Sequence, residues 1–61
     1  MYSVIELYVD EELEAEGKVI LSDVLEFGFV DIKDAEGFRS RYLNIAKHVN
    51  PQNVQVVSYS L

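Results

Sequence analysis

Residues 34–51 read Asp-Ala-Glu-Gly-Phe-Arg-Ser-Arg-Tyr-Leu-Asn-Ile-Ala-Lys-His-Val-Asn-Pro, and they hold the only clear helical signal in the chain. Ala35, Phe38, Tyr42, Ile45 and Val49 recur at three- and four-residue spacing, and Leu43 and Ala46 widen that stripe. Asp34 suits an N-cap and Glu36 a first turn, where a negative charge complements the helix dipole. Lys47 and His48 suit a last turn, and Asn50-Pro51 stops the run because the residue before proline avoids helical angles. The pattern predicts a helix over 34–49. Gly37 near its start costs about 1 kcal/mol relative to alanine.

Strand patterns flank the helix on both sides. After it, residues 53–61 alternate, with Val57, Tyr59 and Leu61 on one face and Val54 and Val56 on the other. Apolar residues on both faces predict a strand inside the sheet. Before it, residues 19–32 read as β structure with an interruption near Ser22-Asp23, either one bent strand or two short ones. Val19, Leu21, Leu25, Phe27 and Phe29 share one parity; Glu26, Gly28, Val30 and Ile32 share the other. Gly28 inside such a run signals a bulge or a close neighbour. Residues 2–9 form a first strand, with Ile5, Leu7 and Val9 expected toward the core and Tyr2, Val4, Glu6 and Tyr8 on the opposite face. Residues 10–17 fit either a short helix capped by Asp10 or an extension of the first strand into a hairpin. Leu13 and Ala15 continue the odd-numbered face and favour the hairpin.

The order β-β-(β)-α-β predicts an α+β fold: a small, mostly antiparallel sheet with one helix packed on one face. If the strands on either side of the helix are parallel neighbours, their crossover is right-handed. The 61 residues make a single small domain, one that buries only roughly 60% of the surface its unfolded chain exposes. Such small domains commonly rely on disulfides, a metal or a partner chain. Cysteine is absent and His48 is the only histidine, so a partner is the remaining device. No cofactor or metal is expected.

The composition predicts a soluble, cytoplasmic protein. Hydrophobic residues make up 49% of the chain, too much for disorder. No apolar run approaches the length of a membrane helix. The start, Met1 to Glu6, lacks the basic region of a signal peptide, and the absence of cysteine suits a reducing compartment. The net charge of −6 makes nucleic acid and anionic lipid poor partners.

The charge is lopsided. Residues 1–32 hold nine acids against Lys18 alone, whereas 33–61 hold Asp34 and Glu36 against Lys33, Arg39, Arg41 and Lys47. Asp10, Glu11, Glu12, Glu14 and Glu16 form the densest run. It lacks the spacing and central glycine of a calcium loop. It fits either a solvated face that guards a hairpin tip or a docking surface for a basic partner. Arg39, Arg41, Lys47 and His48 fit an exposed basic face or a weak anion site. The second sheet face, carrying Tyr2, Val4 and Tyr8 with Val30, Ile32, Val54 and Val56, is expected to be an exposed apolar patch, the usual mark of an interface; the alternative is that a loop or the long hairpin covers it.

Phe27-Gly28-Phe29-Val30, followed by Asp34-Ala35-Glu36, resembles the RNP1 strand and second helix of the RNA-recognition-motif family. That resemblance implies base stacking on Phe27 and Phe29. It covers barely a dozen residues, Glu26 stands where the family has glycine, and the chain is too short for that fold's first strand and helix. The alternative for both rings is a place in the core.

No nucleophile–base pair, phosphate loop or dinucleotide fingerprint is present, so no enzyme is expected. The sequence points to a non-enzymatic protein-binding module, an inhibitor or regulator that docks on a basic partner. Its predicted contact residues are Asp10, Glu11, Glu12, Glu14, Glu16, Tyr2, Tyr8, Val30 and Ile32. The alternatives are a homodimeric structural protein and a degenerate RNA-recognition-like binder.

Overall fold

The computed structural model describes residues 1–9 and 20–60, with the side chains of residues 9 and 20 left aside. Strand β1 (Tyr2–Val9) is followed by β2 (Ile20–Phe29), helix α1 (Ile32–Ile45), a 3₁₀ turn (Pro51–Asn53) and β3 (Val54–Ser58). The sheet order is β2-β1-β3, and both pairings are antiparallel. The fold is α+β: among the described residues, a three-stranded antiparallel sheet with one helix against it. Among the described residues no helix is long and apolar enough to cross a membrane.

Strand β1 is central and β3 lies at an edge, contrary to the position expected from its two apolar faces. Val54 and Val56 face the helix, and Val57 lies on the opposite side; a sheet this thin draws on both faces of its edge strand. Strands β2 and β3 run parallel to each other but with β1 between them, so they are not the neighbours that the crossover rule assumes.

The helix covers the even-numbered face of β1, the reverse of the face expected from alternation. Val4 is paired with Val56, and Glu6 with Val54. Val4, Val54 and Ala35 are 0 to 1% exposed and form the core. Tyr2, Leu25, Phe29, Phe38, Tyr42, Leu43, Val49 and Val56 pack around them. Ala35 explains the choice, because its methyl lets α1 approach close enough to seal Val4 and Val54. The rings of Phe29 and Phe38 meet at a centroid distance of 5.8 Å, tilted 50°, within the range aromatic pairs favour. Ile5 and Leu7 are left half-buried on the other face. Both parities of β1 are apolar, so period two alone could not separate them.

Helix α1 starts and ends earlier than the sequence suggests. Its N-cap is Asp31, whose Oδ1 accepts from the Lys33 N–H at 2.9 Å, so Asp34 falls inside the first turn. Ala46 leaves helical geometry, and its N–H closes the last turn on the Tyr42 carbonyl. Ile45 is therefore 85% exposed instead of joining the stripe, and Val49 reaches the core from the following turn. Lys47 and His48 lie beyond the helix end. Asn50-Pro51 does not stop α1; Asn50 caps the 3₁₀ turn by accepting from Gln52 N–H.

Strand β2 is one long strand with an irregular register. Tyr2 pairs with Phe29, Val4 with Glu26 and Ile5 with Val24, so β2 carries two more residues than β1 across this stretch. Gly28, at φ +88°, supplies a left-handed backbone that side-chain-bearing residues resist. The bulge separates two phenylalanines that simple alternation places together: Phe29 packs under the helix and Phe27 is 70% exposed.

Candidate partner-binding face

The sheet face away from α1 has no covering element among the described residues. Ser3, Ile5 and Leu7 of β1 lie on it, with Val24 opposite Ile5, and with Gln55 and Val57 opposite Ile5 and Ser3. Ile5, Leu7 and Val57 are half-buried, and Val24 is 62% exposed. This apolar row lies on the face that alternation assigns to the core, and it shares no residue with the exposed patch expected from the sequence.

At one end of the face lies an open groove of about 630 Å³. Met1, Ser3, Val24, Glu26, Phe27 and Tyr59 line it, with Leu25 and Gly28. The bulge of β2 builds one wall and the residues around β3's end the other. Tyr59 joins them twice. Its backbone N–H donates to the Met1 carbonyl at 2.9 Å, and its hydroxyl accepts from Gly28 N–H at 2.9 Å. The second bond satisfies a donor that the bulge turns out of the ladder. Glu26 Oε1 accepts from Phe27 N–H at 3.1 Å, which holds the carboxylate at the groove wall. Among the described residues lining the groove, Glu26 has the one charged side chain, and Met1 brings its terminal ammonium.

The predicted contact residues do not converge on this face. Tyr2 packs against the core on the helix side. Tyr8 shares its parity but is exposed. Val30 lies in the turn after β2, and Ile32 opens α1; both are exposed, neither belongs to a strand, and the patch expected around them does not form. Val4 and Val54, assigned to that same patch, are core residues, and Val56 packs against the core. Asp10, Glu11, Glu12, Glu14 and Glu16 lie outside the described residues, as does the choice between helix and hairpin for 10–17. Sequence reasoning passed over Val24 and Val57 as an interface, and it considered Phe27 only as a base-stacking ring or a core residue; the one signal for their grouping was Gly28, whose bulge breaks the alternation.

The basic cluster also divides. Arg39 is half-buried and donates from Nε to the Val54 carbonyl at 2.7 Å and from Nη2 to the Pro51 carbonyl at 2.8 Å. Its guanidinium fork ties the entry of β3 to the helix, so it serves the fold instead of an anion site. Arg41, Lys47 and His48 are exposed. All the described Lys, Arg and His residues fall between positions 33 and 48, on α1 or just after it.

On the helix side, the Tyr42 hydroxyl donates to Glu6 Oε1 at 2.5 Å. That bond raises the Tyr42 pKa, with burial and the carboxylate's negative charge adding to it, because each disfavours the phenolate. Among the described residues, no group of three or more His, Asp or Glu could hold a metal ion.

Of the two rings that the RNA-recognition resemblance offers to bases, Phe29 lies under the helix and only Phe27 stands exposed. No protein-family model matches the chain, and no curated protein or solved structure is similar enough to count as a match.

Proposed function

We propose that the chain is a non-enzymatic protein-binding module, an inhibitor or regulator that docks on a partner with a basic surface. One observation carries the reading: among the described residues, the three-stranded sheet is covered on one face only, with an apolar row across the other. The described core contains only three fully buried apolar residues, Val4, Ala35 and Val54, so covering the second face adds a large fraction to the buried surface. Contiguous exposed apolar surface on a small protein is a usual mark of association. The net charge of −6, with the described bases gathered on and after α1, favours a cationic partner at the sheet face. The acids at 10, 11, 12, 14 and 16 would add to long-range attraction. A cytoplasmic setting belongs to this reading, supported by the cysteine-free sequence.

The test is affinity capture from the native cell with the wild-type chain and with a Val24→Lys, Val57→Lys double variant, whose charge opposes a cationic partner. Both positions lie off the core, so circular dichroism should show the fold retained. A named partner bound by the wild type and lost by the variant supports the reading. An unchanged set of bound proteins refutes it. A homodimer is the second reading, favoured by the same uncovered face, and sedimentation equilibrium separates the two by mass.

A further inference from the structure

We propose that the groove beside Gly28 is a subsite for an arginine side chain of the partner. The proposal rests on the protein-binding reading above and names the chemistry that the groove selects. An arginine has an apolar stem, a flat cationic head and donors in a fork. The groove offers a counterpart to each. Met1 and Val24 present apolar surface for the stem, Phe27 and Tyr59 supply rings for the flat head, and Glu26 supplies a carboxylate. No lysine, arginine or histidine is among the described lining residues, and the one cationic group there is the terminal ammonium of Met1. Tyr59 is anchored at both its N–H and its hydroxyl, and the Glu26 carboxylate is held by the Phe27 N–H, so two of the three recognition groups are positioned in advance. Charge decides against a second copy of the chain as the occupant. Two molecules of net charge −6 repel, and the described basic side chains that could answer Glu26 lie on and after α1, away from the sheet face.

The test is a titration of the isotopically labelled full chain, followed by amide NMR, with the peptide acetyl-Ala-Leu-Arg-Leu-Arg-Ala-amide. A control peptide carries citrulline at both arginines, which keeps the shape and removes the charge. Saturable shifts should appear at the amides of Phe27, Gly28 and Tyr59 with the arginine peptide and be absent with the citrulline one. Glu26→Gln keeps an acceptor for the Phe27 N–H but loses the charge, and it should weaken the apparent Kd about fivefold, the size of an exposed ion pair. Equal shifts with both peptides, an unchanged Kd in Glu26→Gln, or no saturable shift at these three amides overturns the proposal. So does a peptide-free concentration dependence at the same amides, which would place a second copy in the groove. A partner lost by the Val24→Lys, Val57→Lys variant but bound by Glu26→Gln with the wild-type Kd would remove the arginine subsite while leaving the protein-binding reading intact.

Discussion

Val4 and Val24 allow one chemical change to be made on the two faces of the same sheet. Replacing either by alanine removes two methyl groups from a strand. Val4 is fully buried beneath Ala35, so its loss of transfer free energy is about 1.6 kcal/mol at roughly 0.8 kcal/mol per buried carbon. The cavity left behind raises the cost to roughly 2 to 2.5 kcal/mol. Val24 is 62% exposed, so its transfer loss is about 0.6 kcal/mol and no closed cavity forms. The strand preference of valine is lost in both and largely cancels in the comparison. Urea unfolding followed by far-ultraviolet circular dichroism suits a chain without tryptophan. With a slope near 1 kcal/mol per molar, Val4→Ala should lower the midpoint by about 2 M and Val24→Ala by roughly 0.6 M. A Val4→Ala chain that is unfolded in water, beside a folded Val24→Ala, gives the same order. Equal losses, or a larger loss at Val24, would mean that the helix covers the odd-numbered face, and the candidate interface would then be the wrong one.

Arg39→Lys keeps the charge but loses the fork that holds two carbonyls; it should cost about 2 kcal/mol and lower the melting temperature by roughly 10 °C, read by thermal circular dichroism. The Tyr42 pKa is raised above its unfolded value near 10, so the phenol's contribution is complete below about pH 10 and is lost as pH climbs through the folded value. Urea midpoints measured from pH 8 to 11 should therefore fall less steeply in Tyr42→Phe than in the wild type, and parallel curves would remove the Glu6 bond as their cause. Gly28→Ala meets no atom within 4 Å, so its cost is backbone strain alone, about 1 kcal/mol by urea unfolding.

The α+β class, the strand–helix–strand order and a bulge at Gly28 were legible because each has a local cause: alternation, three-and-four spacing, and a glycine interrupting a β-branched run. What was not legible was orientation. Val4 and Ile5 are equally suited to a core, and which one the helix covers depends on how closely Ala35 can approach, a property of two elements about thirty residues apart in sequence. The helix boundaries moved for a similar reason. Asp31 and Asp34 are both competent caps, and Asp31 takes the role once the bulge ends β2 at Phe29. Arg39 read as surface charge because its partners are backbone carbonyls, which no side-chain pattern discloses. The groove depends on the same bulge, since its twist turns Phe27 toward solvent and leaves the Gly28 N–H for Tyr59 to accept.

The strand order β2-β1-β3 has a consequence for how the molecule is made. During synthesis β1 emerges first and pairs with β2 soon after, but its other edge stays bare until some fifty residues have followed. Throughout that interval an unpaired row of amides and carbonyls is open to any extended segment nearby. Closure by β3 is a long-range event and so a slow one. A chain cut short ahead of Val54 would keep that hazard permanently, and aggregation of nascent or truncated material, more than loss of helix, is the defect to expect from damage at this end.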